Sequence, residues 1–140
     1  MDTLSRYAPQ ALAVLRIVTA LLFIEHGTAK LFGFPVMPSM GGAAPGGEGL
    51  PPLILSGGIL EAFGGLAVLV GLFTRPVAFI LSGEMAVAYW MMHVPKGGFF
   101  PLVNGGDSAV LFCFVFLYHL VFAGPGAWSV DGLRASRLSH

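Results

Sequence analysis

Four long apolar runs, at about 10–32, 52–73, 76–94 and 107–123, are separated by polar or glycine- and proline-rich breaks. Each approaches the roughly 20 residues that a helix needs to cross about 30 Å of hydrocarbon. The runs are too long and continuous for strands. They also lack the polar face that a helix in a water-soluble bundle turns to solvent. The pattern predicts an all-α chain, a bundle of four transmembrane helices forming one transmembrane domain over residues 1–140.

The breaks are chemically explicit. Residues 33–51 and 95–106 are rich in Gly and Pro and read as loops. Thr74-Arg75-Pro76 is a tight connection, with Pro76 suited to the first turn of the next helix. Gly124-Pro125-Gly126 ends the fourth run, and the tail at 127–140 is polar, short and surface-lying. Arg16 interrupts the first run and no small-residue cleavage site follows, so this run reads as a retained span rather than a signal peptide.

Composition agrees with the pattern. Of 140 residues, 56% are hydrophobic and 10% charged, against about 25% charged in an average soluble domain. The mean hydropathy is +0.83. A formal net charge of zero gives no reason to expect nucleic acid as a partner. The single cysteine, Cys113, excludes an intrachain disulfide framework and a CxxC redox centre. With four spans, the side holding the termini carries Arg6, Arg75, Arg134 and Arg137, and the other carries Lys30 and Lys96. This bias predicts both termini in the cytoplasm. Tyr7, Trp90 and Trp128 fall near span ends, as an aromatic belt requires.

The informative residues are the ionisable ones within the runs. They are Arg16, Glu25, His26 and Lys30 in the first, Glu61 in the second, Glu84 and His93 in the third, and Asp107, Cys113 and His119 in the fourth. A charge at the bilayer centre costs about 2.5–3.5 kcal/mol on insertion scales, so such groups are expected to face the bundle interior and pair. Depth divides them into a lower layer, Arg16, Glu61 and Glu84, and an outer layer, Glu25, His26, Lys30, His93 and Asp107. At about 100° per residue, Arg16, His26 and Lys30 share one side of the first helix and Glu25 lies opposite. Gly57, Glu61, Gly64, Val68 and Gly71 share a face of the second helix, which should be a close helix interface. Glu84 lies roughly opposite His93 on the third helix. Two cations, Arg16 and Lys30, face four carboxylates, Glu25, Glu61, Glu84 and Asp107. Protonation, a charged histidine, a bound cation or exposure of Glu25 would each remove the surplus.

An ordered set of short motifs runs along nearly the whole chain: Arg16, His26-Gly27 and Lys30; Glu61 with Gly64-Gly65; Gly71-Leu72-Phe73-Thr74-Arg75; Ala88 and His93; Gly97-Gly98-Phe99-Phe100; Asn104-Gly105-Gly106-Asp107; Gly124-Pro125-Gly126; Ser129-Val130-Asp131. In this the chain resembles the DoxX family and its DoxD-like relatives. The resemblance implies a multi-pass protein of the bacterial plasma (inner) membrane. It also implies association with redox work, as a thiosulfate:quinone oxidoreductase subunit or the membrane member of an oxidative-stress assembly. Asp107 departs from the glutamate that many members place there.

Several chemistries compete for these residues. His26, His93, Glu25 and Asp107 are candidate metal ligands, of types that suit zinc, copper or iron, without a closely spaced pair to set the geometry. Haem has no attachment motif here. Arg16, His26, Lys30, Glu61, Glu84, His93 and Asp107 are ligand or proton-relay candidates, with a quinone or a metal ion as cofactor. In this reading Arg16 neutralises Glu61 and the two histidines contact the ligand. The structural alternative makes Arg16–Glu61 a register-setting ion pair, lets Lys30 snorkel to the interface, and gives Glu84 either Arg16 or a proton. The functional expectation is a subunit of a quinone-linked oxidoreductase. The alternative is a non-enzymatic anchor or assembly factor for a soluble or membrane oxidoreductase partner. Glycine faces also allow a homo-oligomer, and a permeation path ranks last for so small a bundle.

Overall fold

The computed structural model describes residues 2–36 and 49–139, apart from the side chains of Asp2 and Tyr118. Part of the first predicted loop, at 37–48, lies outside the described residues. The described residues are helical without strands. In chain order the helices are α1 (Asp2–Ser5), α2 (Ala8–Phe32), α3 (Pro52–Val70), α4 (Thr74–Gly97), α5 (Pro101–Asn104), α6 (Asp107–Val121) and α7 (Val130–Leu138). Three of them, α2, α3 and α4, are long and apolar enough to cross a membrane, and α6 is shorter.

The ends follow local chemistry. Pro9 and Pro52 occupy first-turn positions, where a missing N–H costs nothing. Gly71 closes α3 in the left-handed region at φ 71°, which glycine adopts without a Cβ clash. A Cβ there would also lie 2.6 Å from Nη1 of Arg16, so the turn needs glycine twice over. The helix predicted from 76 begins at Thr74 because the Asp131 carboxylate accepts hydrogen bonds from the N–H groups of Phe73 and Thr74, at 2.9 and 2.8 Å. The tail, read as polar and surface-lying, contains a helix, α7, with Ser129 as its N-cap.

The long helices close a ring: α2 packs on α3, α3 on α4, α4 on α6, and α6 back on α2. Phe23 of α2 fills its centre. It meets Phe112 and Phe116 of α6 edge-on, with ring centroids 5.4 and 4.8 Å away, an arrangement favoured by the ring quadrupoles. Ala20, Val68, Ala78, Leu81 and Leu120 complete the core around it.

Glycines set the spacing around α3. Gly64 takes the Leu81 side chain of α4, while Gly58 and Gly65 take Leu31 and Ile24 of α2. At Gly27 a Cβ would come within 2.5 Å of the Ala62 backbone nitrogen and 2.9 Å of the Gly58 carbonyl oxygen. Here α2 and α3 approach backbone to backbone, as small residues permit in lipid.

Each of α3, α4 and α6 contains a π-helical turn, at Leu60–Gly64, Tyr89–His93 and Val115–Val121. Such a turn holds one extra residue and rotates everything beyond it by about 100° relative to an unbroken α-helix. The first contains Glu61 and the second contains His93, so both bear on the candidate site.

Candidate functional site

The polar groups of the bundle are divided differently from the two layers expected. Arg16 is fully buried and does not meet Glu61 or Glu84. Its Nη1 donates to the carbonyl oxygens of Val68 and Leu69, at 3.0 and 2.8 Å, and its Nη2 to those of Ala127 and Trp128, at 3.3 and 2.8 Å. The guanidinium therefore caps the C-terminal end of α3, where free carbonyls concentrate negative potential, and ties the tail to it. Arg75 does the same for α6, donating to Val121 and Phe122 oxygens at 2.6 and 2.9 Å. The pairing of Arg16 with Glu61, and the option of Arg16 with Glu84, are thus corrected: the backbone carbonyls claim the guanidinium.

Glu61 pairs instead with Lys30, Nζ to Oε1 at 2.6 Å. Glu61 is 1% exposed. Lys30 turns inward rather than snorkelling, because its ammonium meets a buried carboxylate across the α2–α3 contact. Glu84 stands close by without joining the pair. Its Oε1 lies 3.2 Å from the position of a Cβ on Gly57, and Nζ of Lys30 lies 3.9 Å from that same point. Among the described residues, Oε2 of Glu61 and Oε2 of Glu84 are buried without a hydrogen-bond partner.

These three groups lie along one cavity of about 540 Å³, a volume usual for a small-molecule site. Lys30 and His26 come from α2, Glu61 and Gly57 from α3, Glu84, His93 and Lys96 from α4, and Phe112 from α6. Most of the wall is apolar, including Met85, Met91 and Met92. His26 donates from Nδ1 to the Leu22 carbonyl oxygen at 2.8 Å and sets its ring edge-on to Phe112. His93 stacks on Tyr89 and makes a longer 3.4 Å hydrogen bond from Nδ1 to the Asn104 carbonyl oxygen.

Two expected members stand apart. Glu25 and Asp107 are exposed and do not line the cavity. Asp107 sits in the first turn of α6, where a carboxylate complements the helix dipole. The four candidate metal ligands therefore do not converge. Among the described residues no three His, Cys, Asp or Glu side chains come together as a metal would need. With Glu25 and Asp107 outside and Arg16 on carbonyls, the cavity is left with two carboxyl groups, Glu61 and Glu84, against Lys30, paired with Glu61, and the exposed Lys96. Cys113 is half-buried with Sγ 3.4 Å from the Ser82 hydroxyl, and His119 is exposed.

A second polar network, absent from the sequence reading, holds the outer loop beside the cavity. Asn104 donates from Nδ2 to the Gly98 oxygen at 2.8 Å and accepts the Gly106 N–H on Oδ1 at 2.8 Å. The Tyr89 hydroxyl donates to the Phe99 oxygen. The signal was the Asn-Gly-Gly turn at 104–106, which places an amide side chain where it can bond its own loop.

The sequence model of the DoxX family matches residues 11–94. An uncharacterized protein of Haemophilus influenzae is 47% identical over 133 residues, covering 94% of this chain and 96% of the relative. The inner membrane protein YqjF of Escherichia coli is 32% identical over 125 residues, covering 86% of this chain and 88% of the relative. No solved structure matches.

Proposed function

The chain belongs to the DoxX family, and from that premise we propose that it is a bacterial inner-membrane subunit that binds a quinone-type ligand in the Lys30–Glu61–Glu84 cavity. The observation that carries this reading is the cavity: about 540 Å³ of largely apolar space with a few convergent polar groups. A quinone has the matching division between a polar head and an apolar body.

In this reading α6 is a fourth span and both termini are cytoplasmic. A hydrogen bond from Ala127 N–H to the Pro9 oxygen at 2.9 Å supports the arrangement, as do the contacts of Asp131 with Phe73 and Thr74. They bring the start of α2, the 71–74 turn and the tail to one end of the bundle. Because Lys30 is spent on Glu61, Lys96 is left to oppose the arginines of that end, which sharpens the positive-inside bias. The redox association rests on the family resemblance.

The test uses the purified protein in detergent micelles. Saturable binding of a short-chain quinone is expected, and Gly83→Phe should abolish it. Gly83 lines the cavity on the same exposed stripe of α4 as Ile80 and Val87, and a Cβ there meets nothing within 4 Å, so a bulky ring finds room and narrows the cavity at its open side. Absence of saturable binding, or binding indifferent to Gly83→Phe, defeats the reading.

A second reading, a membrane anchor for a soluble oxidoreductase, draws on the outer loop. Asn104 and Tyr89 fix that loop while Phe99, Phe100, Leu102 and Val103 stay exposed. It predicts that substitutions at Phe99 and Phe100 abolish co-purification of a partner while Gly83→Phe does not. The opposite pattern rejects it.

A further inference from the structure

The buried polar atoms left without a partner at the cavity are carboxyl oxygens. Oε2 of Glu61 and Oε2 of Glu84 are buried without a partner among the described residues, and in its ionised form a carboxylate oxygen can only accept. The Leu22 and Asn104 carbonyls can also only accept, so Nδ1 of His26 and Nδ1 of His93 carry the protons in those bonds. In each neutral ring Nε2 is then an acceptor too. The Ser56 hydroxyl is spent on the Leu53 oxygen. Lys30 gives one of its N–H groups to Glu61, and Lys96 and Ser108 are exposed residues of the lining.

The cavity is also open on one side. α3 and α4 pack through residues 60–70 and 74–88, and the outer turns of α3, at 52–59, have no comparable contact with α4. The cavity residues along this gap, Leu53, Leu60, Ile80, Val87 and Met91, are exposed on the outside of the bundle, Ile80 by 54%. On spanning helices that surface faces hydrocarbon.

We propose that the cavity admits its ligand sideways from the membrane, between α3 and α4, and selects one whose polar head donates hydrogen bonds to Glu61 and Glu84. Buried acceptors left unpaired cost free energy that a donor recovers and a second acceptor does not. The ligand class is an O–H or N–H head on an apolar body. A reduced quinone, with two hydroxyls, and an alkylammonium both supply that head, whereas an oxidised quinone offers only carbonyl acceptors. The inference rests on the reading of the cavity as a ligand site and adds which form of ligand it holds.

The experiment measures binding of three probes to the full-length protein in lipid nanodiscs: a decyl benzoquinone, the same compound reduced to its hydroquinone under anaerobic conditions, and decylammonium. At least one donor probe should bind about tenfold more tightly than the oxidised quinone, a difference near that of one buried hydrogen bond. The tighter of the two donors identifies the source of the head. Glu84→Gln, which disturbs no ion pair, should remove most of the preference, with thermal unfolding confirming that the variant is folded. Ile80→Trp, on the outer wall of the gap, should slow association of every probe. Equal or tighter binding of the oxidised quinone overturns the donor rule alone. Unchanged association in Ile80→Trp overturns the sideways entry. Failure of all three probes to bind overturns the cavity reading as well.

Discussion

Lys30 and Glu61 meet at 2.6 Å across the α2–α3 interface, with the lysine side chain 15% exposed and the glutamate side chain 2%. Removing one partner of a buried pair strands the other charge in a medium that cannot solvate it, at a cost of about 3–5 kcal/mol. Lys30→Met should therefore lower the unfolding midpoint in detergent sharply. The double variant Lys30→Met with Glu61→Leu should recover much of the loss, because no charge is left behind. A double variant no better than Lys30→Met would show that the pair is not the reason for the loss.

The α2–α3 contact gives a second test. Gly27→Ala places a methyl 2.5 Å from the Ala62 nitrogen, and backbone cannot rotate out of the way as a side chain can. Overpacking of this kind costs typically about 1–3 kcal/mol. Gly83→Ala, with nothing within 4 Å of its Cβ, should be neutral or slightly stabilising through higher helix propensity. Thermal melts of the two variants side by side check the contrast, and similar melts would contradict the geometry.

Much of this was legible in the sequence. Apolar length placed α2, α3 and α4 to within a few residues, and the cost of intramembrane charge singled out Lys30, Glu61, Glu84, His26 and His93, all of which line one cavity. Glu84 and His93, expected on opposite faces of their helix, both reach the one cavity. The π-helical turn at Tyr89–His93 adds a residue, so the phase between the two is not the one that regular α-helical spacing gives. No regular 3.6-residue count can reveal that. Arg16 was misassigned because charge counting considers only charged partners. Backbone carbonyls at a helix end are acceptors with no mark in the sequence. Asp107 and Glu25 were grouped with the cavity residues by depth along the helices, but depth alone does not say whether a side chain turns inward.

The planar guanidinium of Arg16 serves four carbonyl oxygens from two separate segments, Val68 and Leu69 on one side and Ala127 and Trp128 on the other. Lysine keeps the charge but offers a single nitrogen that cannot span both pairs. Hydrogen bonds to charged groups contribute about 1.5–3 kcal/mol each, so Arg16→Lys, losing at least two, should destabilise the protein by about 3 kcal/mol or more. The tail should loosen first. Limited proteolysis from the C-terminal side should cut Arg16→Lys near Trp128 faster than the parent chain. Equal cleavage rates would remove Arg16 from its role as the clamp.

The last contact of the tail is pH-dependent in a predictable direction. Partial burial alone would raise the pKa of Asp131. The hydrogen bonds donated by Thr74 and Phe73 and the charge of Arg134 outweigh this and hold the carboxyl below its ordinary value. A carboxylate held low in the folded protein contributes stability that is fully present above its unfolded pKa of about 3.9, and that contribution is lost as pH falls through the folded value. The tail should thus stay docked from neutral pH down to about pH 4 and loosen progressively as pH falls below that. Pepsin, active in acid, reads this as accelerating cleavage within Val130–Leu138 as pH falls. Asp131→Asn keeps one acceptor oxygen but no charge, so its cleavage, taken relative to that of an unstructured peptide at the same pH, should already be fast at pH 5 and change little below it. If the parent chain and Asp131→Asn show the same pH profile, another group governs the release and the cap on Phe73 and Thr74 does not hold the tail.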